Sequence, residues 1–326
     1  MVTAIEPLLR EQLIDRRHKL EDAAGAFHRP AELTRLLEEV DAALHRMDVG
    51  VYGLCEVCHE PVETERLIAD PLTRFCLGDL TPTEQRALEE DLELASQIQT
   101  GLLPLPTQKI DGWEFSYHYE PAGAVSGDYC DLIKGEDQSL HFVLGDVSGK
   151  GVAASMLMAH LHAMFRTLTS INLPLGQMVE RASRVFCEST LPTQFATLVC
   201  GRANTRGEVE LCNAGHLPPL LIQEGKVSSI EATGLPLGMF CSESFSVSRV
   251  QMRKGDTLFL YTDGLSESLD GAGNEYGADR LARLLNDNHS LSPDSIISLC
   301  RQELHTFADG RLPGDDLTLM AISRTK

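Results

Sequence analysis

The chain has 326 residues with a formal net charge of −20 and a pI near 4.9, which excludes bulk electrostatic attraction to nucleic acid as the basis of its function, so that only a local basic face could contact it. No apolar run reaches the roughly 18 residues that a membrane helix needs, and Met1 opens no signal-peptide pattern, so neither a membrane span nor export is expected. Nine cysteines, an odd number without the spacing of a small disulfide framework, point to a reducing, cytoplasmic setting.

In chain order, the first 48 residues read as a helical hairpin or coiled-coil region. Leu33, Leu37, Val40, Leu44 and Met47 recur at 4-3-4-3 spacing, the seam of paired helices, and an earlier helical stretch around Ile5 to Leu20 is the expected mate.

Residues 49–82 follow as a small metal module. Cys55 and Cys58 are separated by two residues, a spacer of 17 follows, and Cys76 stands three positions before Asp79. That is the double-knuckle spacing of a structural zinc site, with Asp79 where a fourth cysteine normally stands. One Zn²⁺ held by Cys55, Cys58, Cys76 and Asp79 is the first expectation. His59 or water as the fourth ligand, and a finger that has lost its metal, are the alternatives. A finger this small cannot bury enough apolar surface to fold without a staple. Tyr52 to His59, with Arg66-Leu67 and Ala69-Asp70-Pro71 behind it, resembles the zinc finger of the DksA/TraR family. The resemblance implies an RNA polymerase-binding adaptor as one alternative function, although a shared fold does not establish the partner.

Residues 83–105 form an acidic linker helix whose Leu88, Leu92, Ala95, Ile98 and Leu102 are expected on one side, ended by Pro104 and Pro106. Such a stripe is costly when exposed, so it pairs with its twin in a parallel homodimer or docks on the core of the domain described next, unless the helix is a plain spacer.

The rest, residues 106–326, carries four acidic motifs: Ser126 to Asp131 (SGDYCD), Gly145 to Gly151 (GDVSGKG), Tyr261 to Ser268 (YTDGLSES) and Gly314 to Thr318 (GDDLT). Each sets an aspartate at a strand end. Asp and Gly beside strands are ordinary turn residues taken singly. All four together, two of them more than a hundred residues downstream of the others, argue for a site assembled by the fold. Asp128, Asp146, Asp263 and Asp315 supply the carboxylate oxygens that hard Mg²⁺ or Mn²⁺ prefers, with two ions expected in the domain. Asp316 adjoins Asp315 and is an alternative ligand, because neighbouring strand residues point to opposite faces. Lys150 is not part of a nucleotide-binding loop, since G-x-x-x-x-G-K-[ST] is absent, and no cysteine-nucleophile phosphate loop is present.

These motifs, with Phe195 to Gly201 (FATLVCG), Asn213 to Pro219 (NAGHLPP) and Gly234 to Met239 (GLPLGM), resemble the metal-dependent type 2C (PPM) Ser/Thr phosphatases of the bacterial SpoIIE/RsbU branch. The resemblance implies that Asp146 bridges both ions, that the Val147 carbonyl completes one coordination shell and that Asp128, Asp263 and Asp315 are outer ligands, with Asp146 and Asp128 the catalytic pair. It further implies a phosphoprotein substrate of the anti-sigma-factor antagonist kind and a regulatory partner at the N-terminal module. A catalytically weak phosphoprotein-binding domain is the other alternative. Val147 and Ser148 follow Asp146 where eukaryotic members commonly have glycine and histidine, so no general acid is assigned, and His216, beside Pro218 and Pro219, reads as a structural hydrogen-bonder.

The expected fold is α/β: a type 2C-like β-sandwich flanked by helices in α-β-β-α order, preceded by a helical module, the zinc finger and the linker helix. Strands are predicted around 115–119, 140–146, 195–202, 209–213, 220–222, 257–261 and 317–322, and helices near 151–168, 175–189, 278–288 and 293–308. Leu157, Leu161, Met164 and Leu168 mark a core-facing stripe.

Overall fold

The computed structural model describes residues 2–26, 30–77, 82–135, 138–191, 193–310 and 314–325. Two compact units emerge, Met1–Gln97 with Gly123–Val125, and Ile98–Ala122 with Ser126–Lys326. No helix among the described residues is long and apolar enough to cross a membrane.

In the first unit, α1 (Val2–Ala26) and α2 (Pro30–Asp48) form the predicted hairpin. Leu9, Leu13 and Leu20 meet Val40, Ala43 and Met47 in a core that also holds Tyr52, Cys55, Val62, Leu67 and Cys76. Pairing of Arg10 with Asp48 and of Arg17 with Asp41 fixes the two helices as antiparallel. The side chain of Leu33 lies outside the described residues. After α2 come a short α3 (Thr64–Ala69) and the long α4 (Pro82–Leu102), inside which the two units divide.

The second unit continues with β1 (Thr107–Ile110), β2 (Trp113–Glu120), β3 (Tyr129–Lys134), β4 (Leu140–Val147), α5 (Gly151–Thr169), α6 (Leu175–Ser189), β5 (Ala196–Ala203), β6 (Glu208–Ala214), β7 (Leu220–Gln223) and β8 (Lys226–Ser229). It closes with β9 (Ser248–Gln251), β10 (Thr257–Tyr261), α7 (Asp263–Ser266), α8 (Ala278–Asp287), α9 (Pro293–Ala308) and β11 (Leu317–Arg324). The strands build two antiparallel sheets in the orders β1-β2-β11-β10-β7-β8 and β3-β4-β5-β6-β9.

The strands read as nearly continuous apolar runs because both faces of each sheet are covered. In β4, Leu140, Phe142 and Leu144 point between the sheets, where they meet Trp113, Phe115, Leu258, Leu260, Met320 and Ile322. Val143 and Val147 point the other way, onto Met158, Leu161, Phe165, Val179 and Phe186 of α5 and α6. On the far side, Phe259, Tyr261, Leu319 and Ala321 pack on Leu281, Leu285, Ile296, Ile297 and Cys300 of α8 and α9. The result is the expected α-β-β-α layering.

Two details differ from the sequence expectations. Cys187 of α6 and Cys241 are joined by a disulfide with a Cα–Cα distance of 5.4 Å, a pairing that nothing in their spacing announces. Within α4, the side that is at least half-buried is Leu88, Leu92, Ala95, Gln99 and Leu102, whereas Ile98 is 59% exposed beside Leu94, at 54%. The 4-3-4-3 register thus runs through Gln99, and Ile98 falls one residue, about 100° of helix rotation, away from it.

Candidate active site and zinc module

Three of the four aspartates sit at a boundary of regular structure and the fourth, Asp146, one residue inside the end of β4, so the fold decides whether they meet. Tyr129 of β3 pairs with Gly145 of β4, which places Asp128 and Asp146 side by side at one end of the five-stranded sheet. Tyr261 of β10 pairs with Leu319 of β11, and the Thr262 amide donates to the Thr318 carbonyl, 3.0 Å. Asp263, first residue of α7, and Asp315, two residues before β11, therefore leave the six-stranded sheet together.

The sheets are tied across this point. The Thr262 hydroxyl donates to Asp128 Oδ2 at 3.0 Å, and the Thr318 hydroxyl donates to the same oxygen. Burial, and then the charge of Asp146, push the Asp128 carboxyl well above its usual range. Asp146 is likewise pushed up, first by burial and then by Asp263, Asp315 and Asp316, with Lys150 the opposing cation. Five carboxylates thus share one electrostatic environment with Lys150 beside them, a donor set that fits divalent cations and is otherwise costly.

Asp316 resolves which of the tandem aspartates is braced. Its Oδ1 accepts from the Ala122 amide at 2.7 Å and its Oδ2 from the Gly127 amide at 2.9 Å, so both oxygens are held by backbone. Asp315 instead faces Lys150, with Oδ2 2.9 Å from Nζ, and Lys150 also donates to the Gly314 carbonyl at 2.9 Å. The chain passes so closely here that a Cβ on Gly264 would lie 2.1 Å from the Asp316 carbonyl oxygen. Gly127 is similarly confined, its added Cβ falling 3.1 Å from the Val147 carbonyl oxygen. That carbonyl therefore lies beside the Asp128 loop.

His216 has no free ring nitrogen. Nδ1 lies 2.7 Å from the Thr197 hydroxyl and Nε2 3.1 Å from the Tyr261 carbonyl, which makes Nε2 the protonated donor and Nδ1 the acceptor. Burial lowers its pKa to about 4. This is the structural role expected of it.

Sequence reasoning missed Thr262, Thr318, Lys150 and Gln99 as parts of the site. The first three stand inside motifs already singled out, where a hydroxyl or amine beside an invading carboxylate was the available signal. Gln99 breaks an apolar stripe, and that break was its signal.

In the first unit, the sulfurs of Cys55, Cys58 and Cys76 lie within 4.8 Å of one another, the one group of metal-type ligand atoms so closely drawn among the described residues; the aspartate oxygens are more widely spaced. The Val57 amide points at Cys55 Sγ, 3.5 Å, and the turn closes through the His59 amide to the Cys55 carbonyl, 3.0 Å, with His59 in the left-handed region at φ 59°. Tyr52 donates to the Pro71 carbonyl at 2.9 Å and Arg66 to the Phe75 carbonyl at 2.7 Å, so the motif residues around the cysteines clamp the two knuckles. Asp79 lies outside the described residues.

Comparison with known proteins places both units. The family described as Stage II sporulation protein E (SpoIIE) matches residues 136–325, and the prokaryotic dksA/traR C4-type zinc finger matches residues 50–78. The protein IcfG of Synechocystis is 28% identical over 264 residues, covering 72% of this chain, while the chain spans 41% of IcfG. Phosphoserine phosphatase RsbU of Bacillus subtilis is 24% identical over 243 residues, covering 74% of this chain and 72% of RsbU. Among solved structures, the RsbU and RsbW domains of Rv1364c from Mycobacterium tuberculosis align with a TM-score of 0.57 at 29% identity, over 68% of this chain and 62% of that one. The SiaA-PP2C domain of Pseudomonas aeruginosa aligns with a TM-score of 0.65 at 17% identity, over 76% of this chain and all (100%) of that domain.

Proposed function

Because the chain belongs to the SpoIIE family, we propose that it is a metal-dependent protein phosphatase that hydrolyses phosphoserine or phosphothreonine on a regulatory protein. The observation that carries this reading is the meeting of Asp128 and Asp146 from one sheet with Asp263 and Asp315 from the other, tied by Thr262 and Thr318. RsbU and RsbP of Bacillus subtilis, both named phosphoserine phosphatases, support the substrate class. The structure of RsbX, solved in complex with magnesium, shares the fold at a TM-score of 0.52.

Asp146, Asp128, Asp263, Asp315 and the Val147 carbonyl would hold two Mn²⁺ or Mg²⁺ ions, with Asp146 between them. When bound, such a pair supplies a water acidified towards neutrality and neutralises charge on the phosphoryl oxygens. The protein's own work is positioning. Thr262 and Thr318 occupy Asp128 Oδ2 and so orient the carboxylate, leaving Oδ1 for another partner. Asp316 is pinned by two amides and braces the loop before β3, which leaves Asp315 as the ligand of the pair. Lys150 steadies Asp315 and offers a cation close to where a phosphate would arrive. Both ring nitrogens of His216 are engaged, so His216 is not the proton donor to the leaving serine.

In the first unit, one structural Zn²⁺ would sit on Cys55, Cys58 and Cys76, with Asp79 as the fourth ligand, and this module would receive a regulatory partner in the cytoplasm. An anti-sigma-factor antagonist is the substrate kind that fits the family. The decisive experiment is hydrolysis of p-nitrophenyl phosphate by the full chain, stripped with chelator and then given Mn²⁺ or Mg²⁺. Turnover that returns only with the divalent ion is expected; hydrolysis that is absent at every metal concentration sinks the reading.

A further inference from the structure

Gln99 stands at a position where the helical repeat of α4 calls for an apolar residue, between Ala95 and Leu102 on the half-buried side, and it is only 5% exposed. A buried amide is costly there unless its donor and acceptor are both satisfied. Both are. Gln99 Nε2 donates to the Ser126 carbonyl at 2.7 Å, and Gln99 Oε1 accepts from the Ser126 amide at 2.9 Å. The side chain therefore imitates one rung of a β-ladder against the backbone of a single residue.

That residue is two positions before Asp128, and its hydroxyl accepts the Asp128 amide at 3.0 Å. The Gly127 amide between them goes to Asp316. All three amides of the loop from Ser126 to Asp128 thus have fixed partners, and the two that set the height of Asp128 trace back to Gln99. The end of α4 is further seated by a hydrogen bond from the His162 ring to the Leu102 backbone, and just beyond it the Tyr117 hydroxyl reaches the Pro104 carbonyl at 2.8 Å.

We propose that Gln99 is a positioning residue for Asp128, holding the Ser126–Asp128 loop in the one conformation from which Asp128 can help bind a divalent cation. This rests on the phosphatase reading above. Burial alone requires only that the donor and the acceptor of Gln99 each find a partner, which two different residues could supply; that both partners belong to Ser126 ties the side chain to this one loop. Partners that orient a metal ligand typically matter about 10–100-fold in affinity when removed.

The test is Gln99→Met, which keeps shape and helix propensity and deletes both hydrogen bonds, with exposed Gln97→Met as the control on the same helix. Mn²⁺ binding to the full chain is measured by titration calorimetry, together with hydrogen exchange at the Ser126 amide and the melting temperature in chelator. The expected result is about tenfold weaker Mn²⁺ binding and faster exchange at Ser126 for Gln99→Met, with a lower melting temperature in chelator because the buried Ser126 amide and carbonyl lose their partners, and wild-type behaviour for Gln97→Met. If Gln99→Met does not fold, Gln99→Asn carries the same measurement, since it keeps a neutral amide but is one methylene shorter and withdraws both groups from Ser126. A folded variant that binds Mn²⁺ like the wild type overturns the positioning role alone. A wild-type chain that binds no Mn²⁺ overturns the two-metal reading, and this proposal with it.

Discussion

Asp146 is held where burial and then three other carboxylates, Asp263, Asp315 and Asp316, raise its proton affinity, so the same side chain that would bridge two cations is a source of repulsion without them. Asp146→Asn removes that repulsion and the bridging charge together. Turnover of p-nitrophenyl phosphate should fall by more than about 100-fold, beyond the loss typical of residues that only orient a ligand, while the melting temperature in chelator stays at or above the wild-type value. A variant with wild-type turnover and metal dependence would show that the site is misassigned. His216 yields a second residue-scale expectation. Its pKa is lowered from 6.5 to about 4, so between those values the unfolded chain binds a proton that the folded chain refuses. Stability contributed by neutral His216 is therefore complete above about pH 6.5 and lost as pH falls towards 4, by about 3 kcal/mol at most. Urea titrations from pH 7 to 4.5 should show this loss and show it reduced in His216→Asn; an equal loss in both would assign it to other groups.

At the scale of elements, β4, β10 and β11 and the helices that cover them were legible because each is buried on both faces or on one wide stripe, whereas β3 and α7 were not among the predicted elements. The predicted helices at 175–189 and 293–308 coincide with α6 and α9, and the apolar runs into Asp146 and Asp263 are β4 and β10. The predicted strands left out β1, β8 and β9, four residues each, which are strands only because a neighbour supplies the other half of the ladder, and β3, a buried strand whose apolar run is broken by Asp131. The same limit applies within α4, where Ile98 and Gln99 compete for one position in the stripe. An apolar-periodicity argument chooses Ile98, whereas the hydrogen bonds to Ser126 select Gln99. This separates two substitutions that the bare pattern would pair. Leu92→Asp places charge on the half-buried side and should lower stability by roughly 1–3 kcal/mol, whereas Ile98→Asp should leave melting unchanged and alter only assembly through the exposed Leu94–Ile98 side. Light scattering with thermal melting distinguishes them, and identical behaviour of the two variants would erase the two-sided description of α4.

For the whole molecule, the division into two units has an energetic basis in four separate apolar cores, three stacked through the sandwich and one confined to the hairpin and finger. Cys55 and Cys76 are part of that fourth core, so the metal they would share with Cys58 is wired directly into its packing. Zinc-binding energy in such a finger is folding energy, typically about 10–16 kcal/mol, and its loss should be felt where the sulfurs are, and not in the sandwich. In the full chain, elemental analysis should find one zinc, and Cys55→Ser should remove it. Limited proteolysis should then cut within the first 97 residues, which hold the hairpin and the finger, while residues of the second unit stay protected. Metal-dependent turnover of p-nitrophenyl phosphate should persist, because each aspartate of the site, and Gln99 that braces Asp128, belongs to the second unit. Asp79→Cys should tighten zinc binding if Asp79 is the fourth ligand, and leave it unchanged if His59 or water fills that place. Loss of turnover in Cys55→Ser with the second unit still protected would mean that the finger acts on the site through α4, and the independence argued from the cores would be wrong.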